Sequence, residues 1–228
     1  MIHFSIILLF SVWCIFTAVP LLGEVHDPPT KDPEKNELAA YGEHKTIPQE
    51  LEQVILTALS FYPELATTRI EFIYRENIRK SVMQAQPKAV SLLRGKGKRV
   101  YKVKISRYLK LNEDQLDITT LPFEVLVGWI GHELGHIMDY KDRSGLAMVG
   151  FGAKYWLSVN FLKEAERRAD IFALKHGLGE RIMSTKTFVL DHEHIPVPYK
   201  KRIKRLYMSP EEFTQLLTEA APAPAPAP

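Results

Sequence analysis

Gly131-His132-Glu133-Leu134-Gly135-His136-Ile137-Met138 is the stretch on which the reading of this chain turns. It lies inside a helical pattern running from Pro122 to about Tyr140, and histidines four apart on a helix project from one face, separated by one turn. Both imidazoles can therefore reach a single zinc ion. Glu133 then sits beside the metal without binding it, placed to act as general base on zinc-bound water, whose pKa falls from ~15.7 to about 7 on such an ion. Water activated in this way attacks a peptide carbonyl polarised by the metal, and Glu133 carries the proton to the leaving amine. The flanks Trp129, Ile130, Gly131, Leu134, Gly135, Ile137 and Met138 are all uncharged. That suits ligands held in a dry, packed interior, whereas a solvated helix face would carry charges there.

Catalytic zinc keeps three protein ligands and one open position, so a third ligand is required. A third histidine at metzincin spacing is excluded, because that pattern has glycine where Asp139 stands and histidine where Asp142 stands. The next candidate is a carboxylate on a second helix, expected over about Asn160 to His176. There Glu166 and Asp170 are four apart and share a face with the small residues Ala169 and Ala173. Small side chains at those positions, with Gly135 opposite, let two helices approach closely enough for Glu166 to reach the metal. Asp170 can then accept a hydrogen bond from the second nitrogen of a ligand histidine, fixing its tautomer. The competing reading of this segment is a surface helix whose Glu164 and Glu166 pair with Arg167 and Arg168.

His132-Glu133-Leu134-Gly135-His136 followed by Glu166-x-x-Ala169-Asp170 resembles the gluzincin metallopeptidases of the HtpX and CaaX prenyl protease type, over roughly residues 46 to 207. The resemblance implies His132, His136 and Glu166 as ligands of one Zn2+ per chain, and Glu133 as the general base of a zinc metalloendopeptidase. Members often carry a His-Pro followed by Arg-Ile late in the chain. Here that stretch reads His194-Ile195-Pro196-Val197-Pro198-Tyr199-Lys200-Lys201-Arg202-Ile203, with the prolines at unusual distances. By resemblance His194 or Arg202 stabilises the oxyanion. The plainer alternative is a loop histidine and a basic helix face over 200–205. Relatives of this type also place membrane spans between the two motifs, whereas here residues 145–162 are apolar but interrupted by Lys154, Ser158 and Asn160. A buried helix is the expected outcome, with an interfacial segment or a cap over the cleft as the alternative.

Outward from the motifs, Thr46 with Gln49 three residues on has the form of a capping box, and Leu51, Val54, Ile55, Ala58 and Leu59 recur at helical spacing up to about Ser60. Ile70, Phe72 and Tyr74 alternate like a half-buried strand, and a second strand is expected around 79–86, ended by Pro87. Tyr101, Val103 and Ile105 alternate with Lys102, Lys104 and Ser106 over 100–108. The lysines suit an edge strand, either as protection against edge-to-edge pairing or beside a cleft where an extended substrate could pair with it. Ser209, Pro210 and Glu212 signal a last short helix. The expected architecture is α+β and zincin-like: a small, mostly antiparallel sheet packed on helices, with zinc between two of them.

The chain has 228 residues, 46% hydrophobic and 25% charged, which fits one ordinary globular domain. A net charge of +3 comes from basic and acidic residues in near balance and gives no reason to expect nucleic acid. The single cysteine, Cys14, excludes a disulfide framework and a cysteine-rich metal knuckle, so any metal must use His, Asp or Glu. No charged side chain occurs from Ile2 to Leu22, which reads as a signal peptide or a membrane anchor over residues 1–23. Since Glu24 and Asp27 precede the first cation, Lys31, the bulk of the chain is expected to be exported: secreted, periplasmic or anchored outside the cytoplasm. Residues 24–45 read as a polar linker, 46–219 as the metallopeptidase domain and 220–228 as an extended Ala-Pro tail. The expected partner is a protein or peptide substrate, with membrane association through residues 2–22. Two other functions fit the same residues: a catalytically silent zinc-binding interaction module, and a membrane-associated quality-control factor.

Overall fold

Alternating burial of Ile70 and Phe72, and of Tyr101, Val103 and Ile105, sets the inner face of a small sheet against two helices. These features come from a computed structural model, which describes residues 35–76, 78 and 81–220. The expected signal or anchor segment 1–23, residues 24–34 of the expected linker and the tail beyond 220 lie outside the described residues. Folded chain begins ahead of position 46: α1 (Lys35–Leu38) brings Leu38 into the core, and β1 (Lys45–Thr46) joins the sheet. Thr46 is thus a strand residue rather than a helix cap. The helix it was expected to cap, α2 (Glu52–Ser60), starts from Leu51 after a 3-10 turn and has no side-chain cap.

The four-stranded sheet has the order β1, β2 (Arg69–Arg75), β4 (Val100–Ser106), β3 (Met83–Pro87). Both β1–β2 and β2–β4 are parallel and only β3–β4 is antiparallel, so this sheet is mostly parallel, contrary to expectation. The reason is the connection. Helix α2 carries the chain from β1 back to the same end before β2, which makes those two parallel, and β3 then runs back antiparallel on the far side of β4, so that β4 runs with β2. A separate antiparallel hairpin is formed by β5 (Tyr108–Lys110) and β6 (Gln115–Asp117).

Strand β4 is also not an edge. Its lysines face the solvent side of the sheet, and Lys104 Nζ donates to Gln86 Oε1 at 3.0 Å across the β3–β4 pair. Alternation reports which face a side chain takes, while an edge lies in the plane of the sheet and leaves no such mark. The edge on this side is β3.

Helix α3 (Phe123–Lys141) is apolar nearly all round and runs through the core, touching β3, α2, α5 and α6. It is followed by α4 (Gly145–Leu157), α5 (Val159–Lys175), α6 (Gly179–Asp191), α7 (Val197–Leu206) and α8 (Pro210–Ala220). Ser158 Oγ caps α5 by accepting from Phe161 N–H, and Ser209 Oγ caps α8 by accepting from Glu212 N–H. Among the described residues, no helix is long and apolar enough to cross a membrane.

Candidate metal centre

Close contact between α3 and α5 is what assembles the site. A Cβ on Gly135 would stand 2.4 Å from the Ala169 carbonyl oxygen, so only glycine permits this approach. The result is that His132, His136 and Glu166 converge from the two helices in the interior, the arrangement expected from their spacing. The Nε2 atoms of His132 and His136 lie 3.1 and 3.2 Å from Glu166 Oε2. Donor atoms around a tetrahedral ion with bonds of ~2.0–2.1 Å stand about 3.3 Å apart, which both nitrogen–oxygen spacings match, and the three donor atoms all lie within 4.8 Å of one another. The two-nitrogen, one-oxygen donor set suits a borderline divalent metal.

The orienting partners are equally specific. His132 Nδ1 faces Asp170 Oδ1 at 2.9 Å, as the four-residue spacing of Glu166 and Asp170 predicts. The other oxygen of Asp170 accepts from Lys186 Nζ at 2.8 Å, and the same ammonium donates to the Met208 carbonyl at 3.2 Å. Glu166 presents Oε2 to the histidines while Oε1 accepts from the Tyr155 hydroxyl at 2.7 Å. Neither Lys186 nor Tyr155 stands out in the sequence: one sits in a helix whose apolar stripe it interrupts, the other in an apolar run where an aromatic reads as packing. Glu166 makes no pair with the neighbouring arginines. Arg168 bonds Asp139 and Arg167 bonds Glu212, so the surface-helix alternative does not describe this segment.

Burial and charge act together on these groups. Burial alone would lower the His132 pKa, but Asp170 and Glu166 outweigh it and raise the value from 6.5 to about 10. Glu166 is pushed up by burial but held well below the usual range by His136 and His132. Asp170, likewise opposed by burial, is lowered by Lys186 and His132. Glu133 differs from both: burial dominates and raises its pKa, with the histidines and the Ala85 N–H offsetting part of the effect. Its Oε2 accepts from Ala85 N–H at 2.6 Å, which ties the carboxylate to the edge strand.

A cleft of about 340 Å³ opens over the centre, walled by β3 on one side and by Phe151, Gly152 and Tyr155 of α4 on the other. Glu133, His136, Glu166, Tyr207 and Arg202 line it. Arg202 also lines a second cavity of about 330 Å³ with Tyr108, Leu109, Pro196 and Pro198. His194 is not brought to the site; its side chain is 63% exposed and pairs with Glu193. Comparison with known protein families, curated proteins and solved structures finds no match to this chain.

Proposed function

We propose that the chain is a zinc-dependent metalloendopeptidase of gluzincin type, acting on protein or peptide substrates outside the cytoplasm. The observation that carries the reading is the meeting of His132, His136 and Glu166 in the interior, with the uncoordinated carboxylate of Glu133 on the same cleft wall. Glu133 accepts from the Ala85 N–H through one oxygen, and a purely structural metal site has no further use for a carboxylate buried beside it. Zinc held by the three donors supplies Lewis-acid activation of water and of the scissile carbonyl. Glu133 takes the proton released and delivers it to the leaving amine, and its raised pKa suits a group that must both accept and return a proton. Asp170 and Tyr155 hold His132 and Glu166 in orientation through the bonds described above.

The edge strand supports a peptide substrate. Ser106 N–H bonds the Val82 carbonyl and Lys88 N–H bonds the Val100 carbonyl, so even-numbered residues of β3 face β4. The main chain of Met83, Ala85 and Pro87 therefore turns away from β4; with the Ala85 N–H held by Glu133 and no N–H on Pro87, an extended polypeptide would pair there through the Met83 N–H and the outward carbonyls. For the oxyanion, Arg202 is favoured over His194 because Arg202 lines the cleft.

The test is hydrolysis of an unfolded protein by the zinc-loaded chain and by Glu133→Gln, with metal content measured alongside. The expected result is an equal zinc content and a fall in rate of roughly 10²–10⁴-fold. Equal rates would refute the mechanism.

A further inference from the structure

Helix α4 is apolar on the side that faces solvent. Its buried side presents Met148 and Phe151 to the core, while Leu146, Val149, Gly150, Ala153 and Leu157 form one exposed stripe at helical spacing, without a charge. Leu146 is 84% and Leu157 87% exposed. The 3-10 turn Ala89–Leu93 packs against α4 and adds Val90 and Leu93, both exposed. Of the eight large apolar side chains exposed among the described residues, six lie on this turn, on α4 or at Val159 next to it. Charge separates in the same place. Residues 88–99 and 143–163 together hold eight lysines and arginines and no acid, leaving 22 of the chain's 30 cations to face 27 acids elsewhere. Arg94, Lys96, Lys98, Lys154 and Lys163 of this set are exposed.

A continuous apolar surface edged mainly by cations, with five exposed lysines and arginines against exposed Asp142 and Glu164, matches the layered chemistry of an anionic bilayer, with acyl chains beneath negative headgroups. We propose that the face formed by α4 and the 89–93 turn docks onto an anionic membrane surface. The apolar stripe enters the headgroup boundary, and the lysines and arginines around it engage lipid phosphates. The same α4, and the β3 strand that leads into the turn, are the two walls of the metal cleft. Docking therefore holds the cleft mouth at the bilayer. If the proposed hydrolysis is right, which this last step alone rests on, the substrates are polypeptide segments lying at or emerging from a membrane.

The test uses the full chain with Cys14→Ser and an environment-sensitive fluorophore attached through Val149→Cys, Leu157→Cys or, on α8, Gln215→Cys. All three positions are exposed, so the fold is not at risk. Vesicles of phosphatidylcholine, with and without phosphatidylglycerol, carry a lipid-borne quencher. Labels at 149 and 157 are expected to be quenched in the anionic vesicles, less so in the zwitterionic ones, while the label at 215 is spared. The ratio of docked to undocked domain should fall about fivefold for each cation removed in Lys96→Gln and Lys98→Gln. Quenching at 149 no greater than at 215 overturns the proposal. So does shielding of the 149 label without vesicles, whether it depends on dilution, as for a second copy of the chain, or does not, as for the chain's own N-terminal segment. Neither readout involves zinc or proteolysis, so docking and hydrolysis fail independently.

Discussion

Lys186 has its ammonium between Asp170 Oδ2 and the Met208 carbonyl, and is only 6% exposed. Removing one member of a buried ion pair leaves the other charge uncompensated, at a cost of about 3–5 kcal/mol. Lys186→Ala is therefore expected to lower the stability of the metal-free chain by that amount in urea unfolding. It should also weaken zinc binding by roughly 10–100-fold in a chelator competition, because Asp170 then orients His132 less firmly. Tyr155→Phe removes one hydrogen bond to Glu166 and should weaken zinc binding while leaving unfolding in the absence of metal less affected; an unchanged zinc affinity would remove Tyr155 from the site. The convergence of His132, His136 and Glu166 was legible in the sequence because each belongs to a helical spacing. Lys186 and Tyr155 were not, since their partners lie 16 and 11 residues away on other helices and neither residue type announces such a bond.

Helix packing decides whether His132, His136 and Glu166 meet. The Ala169 carbonyl lies where a Cβ of residue 135 would need to be, so Gly135→Ala must push α3 and α5 apart. Overpacking of this kind costs about 1–3 kcal/mol, less than the stability of a typical domain. The expected variant is folded by circular dichroism yet deficient in zinc; full zinc occupancy would show that the helix spacing is not critical. Helices α3, α5 and α8 could be read from periodicity and capping residues. Helix α6 could not, because Thr185 and Lys186 occupy buried positions and break its apolar stripe. The edge of the sheet was assigned to the wrong strand for the reason given above: lysine alternation marks a face, and the partner strand β3 is too short and too polar to reveal its register.

At the scale of the whole molecule, the metal-free centre is a set of buried charges, and its pH dependence follows from their directions. His132 has a pKa raised from 6.5 to about 10, so its contribution to stability is fully present below pH 6.5 and lost as pH rises through 10. Glu166 and Asp170 are lowered, so their contributions are present above the ordinary values of 4.5 and 3.8 and lost on acidification. Urea unfolding of the metal-free chain should therefore show stability declining between neutral pH and pH 10. The zinc-loaded chain should lack that alkaline decline, since metal replaces the proton on His132. The balance of the sheet, the second cavity beside Arg202 and the exposed apolar side of α4 all arise from long-range packing, which spacing along the chain does not encode.

The central claim is that zinc held by two helices performs hydrolysis with Glu133 as its base, and stoichiometric reconstitution tests it most directly. Chain stripped with a chelator is titrated with Zn2+ while cleavage of an unfolded protein is followed, for wild type and Glu133→Gln in parallel. The expected wild-type rate rises linearly and breaks at about one equivalent, the single-ion stoichiometry of a three-ligand catalytic site, while Glu133→Gln binds the same equivalent and stays inactive. A rate indifferent to added zinc, or a Glu133→Gln curve matching the wild type, would contradict the account.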